Sequence, residues 1–198
     1  MKRLIVLFSL LISSFASAGI LIEPQLGYII SSKFSGTTTV NSGNFSANDS
    51  YSGMTYGGRL GYQMLGVMGG INYHHMSGTG TDKTVTPNVE YDTSRDDLGV
   101  FIGYNAPILV RAWFAYNFSA KLNVDQTTTQ TNKGDYLKGT STEFGIGYAG
   151  LPFLSINFIY RMYDFTKYHD STVPATYSAS NNKPKDIELA ISAPFNLF

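Results

Sequence analysis

Apolar and polar residues alternate with a period of two along most of this chain, and arginines recur on the polar phase. In 53–64, Met54, Tyr56, Leu60, Tyr62 and Met64 alternate with Thr55, Gly57, Arg59, Gly61 and Gln63. In 154–162, Leu154, Ile156, Phe158, Tyr160 and Met162 alternate with Ser155, Asn157 and Arg161. Successive side chains of a β-strand point to opposite faces, so this pattern predicts strands with one apolar and one polar face. The same alternation runs through 20–30 (Ile20, Ile22, Leu26, Tyr28, Ile30 against Glu23, Gln25, Gly27) and 67–76 (Ile71, Tyr73 against Gly70, Asn72, His74). It continues through 96–105, 110–118, 144–148 and 187–197, which makes eight predicted strands.

The arginines decide which face meets which environment. Arg59, Arg111 and Arg161 all fall on the polar phase. An arginine held against lipid at mid-depth costs about 2–4 kcal/mol, so three facing outward would be prohibitive. In a soluble barrel the apolar side chains would fill the interior, the reverse of a membrane barrel. The aromatic face is therefore expected outside, against lipid, and the polar face inside. The expected fold class is all-β: an eight-stranded antiparallel up-and-down transmembrane β-barrel. Each strand is near the ten or so residues needed to cross a bilayer at a tilt.

The connections fit that fold. Short turns are expected at Leu65-Gly66, Ala106-Pro107 and 149–152, on the periplasmic side. Long polar extracellular loops are expected at 31–52, 77–95, 119–136 and 165–184. The repeats RLGYQ (59–63), FIGYN (101–105) and GIGYA (145–149) precede the short turns. Their tyrosines, Tyr62, Tyr104 and Tyr148, are expected to form a periplasmic aromatic girdle. An eight-stranded interior is just wide enough for side chains to fill. It is expected to hold a polar network of Glu23, Arg59, Asp97, Arg111, Glu143, Arg161 and Glu188, largely plugging the barrel.

The N-terminal stretch reads as a leader. Lys2 and Arg3 precede an apolar run from Leu4 to Leu11, and Ala16-Ser17-Ala18 has the small-residue spacing of a cleavage site. Residues 1–18 are read as a secretory signal peptide and 19–198 as the barrel domain. Apart from Lys2 and Arg3, 12 of the 14 basic residues remain against 14 acidic ones, and no basic patch suggests nucleic acid. The Cys count is 0, so an exported fold must hold without disulfides.

The leader, the eight amphipathic strands, the alternating turn lengths and the terminal Phe198 together resemble small outer-membrane barrels of the OmpA transmembrane-domain, OmpX and OmpW types. The resemblance covers the whole mature chain and rests on pattern. It implies the outer membrane of a Gram-negative bacterium, contact with outer-membrane lipid and lipopolysaccharide, and insertion by the barrel-assembly machinery through a C-terminal aromatic signal. Here Pro194 interrupts the last strand before Phe195 and Leu197, so that signal departs from the usual form. The expected role is non-enzymatic: surface loops for adhesion or for envelope integrity toward an unspecified extracellular ligand. An OmpW-like channel for small solutes is the alternative. No cofactor or metal is expected.

A further alternative comes from Ile71 to Gly78, INYHHMSG, which holds two of the three histidines. Some small outer-membrane barrels are lipid A deacylases with a His-x-Ser pair and a downstream glutamate. His75-Met76-Ser77 matches the pair, and Glu90 is the candidate carboxylate. A serine nucleophile needs a base and a group to orient that base. Strand parity sends His75 and Ser77 outward to the extracellular rim and His74 inward, as a hydrogen-bonded core residue. His169 stands alone in the last loop, too isolated for a three-histidine metal site.

Overall fold

The structure, a computed structural model, describes residues 18–40, 43–83, 87–125, 132–173 and 175–197. The expected leader lies outside the described residues except for Ala18.

Seven long strands run in sequence around a ring: β1 (Gly19–Val40), β2 (Gly43–Met64), β3 (Val67–Asp82), β4 (Val89–Asn105), β5 (Val110–Val124), β6 (Tyr136–Leu151) and β7 (Leu154–Asp170). Each pairs antiparallel with the next. The eighth place is filled in three pieces, β8 (Ala175–Asn182), β9 (Lys185–Ser192) and β10 (Phe195–Leu197). β9 pairs with β7 on one side and β1 on the other, so the sheet closes into an eight-stranded barrel. Both breaks in the last strand fall at prolines. Pro184 separates β8 from β9 and Pro194 separates β9 from β10. Proline has no N–H to give the ladder. The chain is locally re-tied instead: Tyr163 N–H donates to the Pro184 carbonyl at 2.9 Å and Ala193 N–H to that of Pro24 at 3.0 Å.

The faces divide as the alternation requires. Leu60, Tyr62, Ile71, Val100, Ile102, Phe118, Phe144 and Ile146 lie on the outer surface, each about half exposed, while Glu23, Arg59, Arg111, Glu143, Arg161 and Glu188 are buried inside. A continuous apolar belt of this kind far exceeds the patches a soluble monomer exposes, and it is what lipid covers. Among the described residues no helix is long and apolar enough to cross a membrane. Tyr62, Tyr104 and Tyr148 all point outward near the short turns.

Those turns are tight and apolar. Leu65 (φ 51°) and Gly66 (φ 82°) both take positive φ between the paired residues Met64 and Val67. Two central residues with positive φ are the signature of the hairpin turn that matches strand twist. A Cβ on Gly66 would stand 2.8 Å from the Asn105 carbonyl oxygen, so the position also lacks room for a side chain. Leu109 (φ 64°) and Phe153 (φ 60°) close the other two turns in the same region, which costs non-glycine residues some strain.

The four segments expected as long loops are shorter than anticipated. Strand pairing continues from Phe34 with Asp49 up to Val40 with Gly43, and from Met76 with Arg95 up to Asp82 with Val89. β6 begins at Tyr136 and β7 runs to Asp170. The physical reason is that a backbone ladder needs no apolar outer face: at Thr79 to Asp82 and Val89 to Asp92 the strands stay paired while the outward positions are polar, so the alternation that signals a strand fades. The barrel therefore rises above its apolar belt as a collar.

Candidate functional site

Two regions hold the chemistry: the filled lumen and the outer rim of the barrel at the loop end.

In the lumen, the inward residues of three strands pass from apolar to charged and back to apolar as they climb. On β3 they are Met68, Asn72, His74 and Met76; on β4, Phe101, Asp97, Arg95 and Tyr91; on β7, Ile159, Arg161, Tyr163 and Phe165. Met68, Phe101 and Ile159 join Leu21, Trp113, Ala115 and Ala190 in a buried cluster toward the short turns. Met76, Tyr91, Tyr163 and Phe165 join Ile29, Phe34, Tyr51, Ala120 and Leu122 in a second cluster toward the loops. The sequence had suggested a polar interior; apolar clusters are instead packed at two heights, with the charges held between and among them. Parity alone places Leu21, Met68, Phe101 and Ile159 inside, but single apolar residues on a polar face are easily overlooked.

The expected network residues come together in pairs. Glu23 accepts from Arg59 (3.1 Å), Arg111 and the Ser192 hydroxyl (2.6 Å). Glu143 accepts from Arg161 Nε and from the Trp113 indole N–H, both at 2.6 Å. Glu188 accepts from Arg161 and from Thr55 (2.8 Å), and it faces His74 Nε2 at 3.1 Å. His74 Nδ1 stands 3.5 Å from Asp97, a charge contact outside hydrogen-bond geometry. Tyr163 O–H donates to Asp97 at 2.9 Å. The Arg59 guanidinium lies 3.8 Å from the Trp113 ring centroid, a desolvated cation–π contact.

One buried ion pair was missed at the sequence level. Arg95 bonds Asp186, both fully buried, with the Arg95 guanidinium 4.1 Å from the Tyr163 ring centroid. Counting from Asp97 and Glu188, one step of two residues along each strand reaches Arg95 and Asp186, so parity was the available signal. Arg95 fell within a segment read as loop. With this pair included, the network holds five carboxylates (Glu23, Asp97, Asp186, Glu143, Glu188) and four guanidiniums (Arg59, Arg95, Arg111, Arg161). His74 lies between two of these carboxylates, Glu188 and Asp97. Buried charges are tolerated only when paired in this way.

Above the belt the lumen ends in a tyrosine pair. Tyr91 O–H donates to Asp49 at 2.9 Å, and the Tyr51 hydroxyl lies 3.3 Å from both Asp49 and Tyr91. Burial pushes the Asp49 carboxyl up to about 6, with the nearby Asp82 charge adding to the effect against the tyrosine hydrogen bonds. Asp135 ties the segment before β6 to the end of β7, accepting from Asn132 N (2.8 Å), Ser171 N (2.9 Å), Ser171 Oγ (2.8 Å) and Tyr168 O–H (2.8 Å).

On the outer rim, His74 and His75 part company as strand parity requires: His74 is inside and His75 outside. The partner of His75 is Asp96. His75 Nδ1 lies 2.8 Å from Asp96 Oδ1, Tyr73 O–H donates to the same oxygen at 3.0 Å, and the Tyr56 ring packs on the imidazole at 4.6 Å. Glu90 stands opposite Thr81, six strand positions and about 20 Å along β4 from Asp96. The expected His75–Glu90 assembly is therefore replaced by His75–Asp96. Ser77 is on the same strand face two residues further on, opposite Ser94. Asp96 was overlooked because only the β3–β4 register sets it against His75. His169 stacks on Tyr136 at 4.6 Å. Among the described residues no group of three or more His, Cys, Asp or Glu has the arrangement of a metal site.

The comparisons concern the fold. No protein-family profile and no curated protein matches the sequence. Among solved structures the chain is similar to the outer membrane protein OprG from Pseudomonas aeruginosa, with 10% identity and a TM-score of 0.51, over 90% of this chain and 97% of that one. It is similar to the outer membrane protein AlkL, determined in DMPC bilayers, with 14% identity and a TM-score of 0.51, over 90% of this chain and 91% of that one. The chain has the fold of the small outer-membrane β-barrels. At these identities the likeness concerns architecture alone.

Proposed function

We propose that this chain is a non-enzymatic outer-membrane barrel of a Gram-negative envelope, exported through the leader in 1–18 and placed in the membrane by the barrel-assembly machinery. In this reading it serves the envelope through its outer surface and collar, in adhesion or in membrane integrity. The observation that carries the proposal is the filled lumen. Apolar clusters lie at two heights; Glu23, Glu143, Glu188 and Asp186 each bond an arginine, and Asp97 accepts from Tyr163 beside His74. A conducting path needs water or mobile ligands along its length, and in this reading the interior is taken up by packed and paired side chains. Planar-bilayer recording from pure, folded protein tests it. The expected result is no resolved single-channel steps; stable steps of uniform size would replace this reading with the narrow-channel one.

One observation favours a second reading. A carboxylate-oriented histidine with a serine two places on, at the edge of the lipid belt, is the minimum constellation for acyl-ester hydrolysis of an outer-leaflet lipid. Expression in a host with fully acylated lipid A decides it. Loss of an acyl chain in the lipid A mass spectrum, abolished by Ser77→Ala, would establish the hydrolase; unchanged lipid A in cells with folded wild-type protein removes it.

A further inference from the structure

The His75–Asp96 contact is one end of a longer row. Cross-strand register places Asp96 opposite Lys121, Lys121 opposite Lys138, and Lys138 opposite Lys167. Residues directly opposite on antiparallel strands project from the same face with Cβ atoms about 4.5–5.5 Å apart. The row faces outward: its neighbours one step along, Ala120 and Leu122, are buried in the lumen. Three lysines on three adjacent strands are therefore held side by side on the outer wall of β5, β6 and β7.

Like charges directly opposite one another destabilise a sheet unless something neutralises them. Among the described residues no ion pair joins a carboxylate to Lys121, Lys138 or Lys167: Asp164, on the same wall, pairs with Lys183. The Asp96 carboxylate is engaged by His75 and Tyr73. Lys121 turns its ammonium over the Tyr136 ring at 4.3 Å instead. Tyr136 in turn stacks on His169, whose Nδ1 has no hydrogen-bond partner among the described residues. The same rim continues with Lys185 opposite Lys33. Of the outward acidic residues, Glu90, Asp92 and Asp96 lie on β4, while Asp164 on β7 is exposed on the lysine side and pairs with Lys183 at 3.7 Å.

Depth identifies the counter-ion. The row starts where the lipid-facing belt stops: His75 follows Tyr73, Asp96 follows Leu98, and Lys121 is the first outward lysine above Phe118. On β6, Thr142 and Thr140 lie between Phe144 and Lys138, and on β7 Asp164 lies between Met162 and Lys167, so the lysines stand just above the belt, where lysines are attracted to anionic headgroups. We propose that Lys121, Lys138 and Lys167 form a site for the phosphate groups of a phosphorylated glycolipid in the outer leaflet, with Tyr136 and His169 as its floor. This site rests on the membrane-barrel reading above and is independent of whether the lumen conducts.

The test uses the full chain folded into phosphatidylcholine bilayers containing either bis-phosphorylated lipid A or its dephosphorylated form, then extracted and analysed for retained lipid. The wild type is expected to retain the phosphorylated form at least about tenfold over the other. Lys121→Gln/Lys138→Gln/Lys167→Gln is expected to erase the preference, the corresponding triple arginine variant to keep it, and Lys33→Gln/Lys185→Gln to leave most of it. Heat-shifted gel mobility checks that each variant is folded. Equal retention of both lipids by the wild type overturns the site, as does a folded glutamine triple that still discriminates. If inorganic phosphate alone competes as well as lipid A does, the headgroup assignment fails. A barrel that conducts but still selects phosphorylated lipid would overturn the sealed-lumen proposal while leaving this one standing.

Discussion

Arg161→Met is expected to destabilise the folded barrel by about 3–5 kcal/mol, the cost of leaving buried charges without their partner. Arg161 bonds both Glu143 and Glu188, and Glu188 also faces His74, so its loss strands two carboxylates in a dry interior. The substitution keeps much of the side chain's volume, which separates the charge effect from a cavity. Urea unfolding in lipid vesicles, followed by the fluorescence of Trp113, the only tryptophan, reads the change directly. The triple variant Arg161→Met/Glu143→Gln/Glu188→Gln is expected to recover a substantial part of the loss, because neutral amides can hydrogen-bond where unpaired carboxylates cannot. If the single variant unfolds at the wild-type urea concentration, the Arg161 ion pairs contribute nothing to stability.

Trp113→Ala is the second large effect, expected at about 3–5 kcal/mol for truncating a buried tryptophan. The indole fills the cluster toward the short turns, donates to Glu143 at 2.6 Å and supports the Arg59 guanidinium. Its removal opens a cavity beside charged groups. Even so, on the proposed sealed-lumen reading no conductance is expected, because the cluster of Phe34, Tyr51, Tyr91, Leu122 and Phe165 toward the loops is left in place. Stability is read from the temperature of the gel-mobility shift and conductance from planar bilayers. Steady ion flow through this variant would mean that a single side chain seals the lumen and that the upper cluster does not.

The fold was legible because lipid imposes a strong signal. Where a strand has lipid on one side and a packed lumen on the other, as in Met54 to Met64 or Leu154 to Met162, the sequence alternates and the inside can be assigned from Arg59 and Arg161 alone. The collar was not legible for the converse reason. Thr37 to Thr39 pair with Asn44 to Ser46 as a ladder, but with no lipid beside them they read as a polar loop. The lumen was half legible. Glu23, Arg59, Glu143, Arg161 and Glu188 could be set inside by parity, whereas Arg95 was hidden by the loop assignment. Contacts that depend on register, such as Asp96 against His75 or the three aligned lysines, cannot be read without knowing how far each strand is shifted against its neighbour. Adjacent bulges move that shift, as between Asn117 and Ala120 on β5.

The broken last strand has a consequence for how the molecule is made. The ring closes only when β9 meets β1, bringing the Ser192 hydroxyl to Glu23 across 169 residues of sequence. Contacts so remote in the chain form late and slowly, since a long loop must be closed before they reward it. Until then the partly formed sheet carries two open edges, each a template for pairing with another chain. The prolines at 184 and 194 remove two ladder donors from the very segment that must complete the ring. The rate of seam closure, more than the depth of the final energy well, should set how much of this protein reaches the membrane folded.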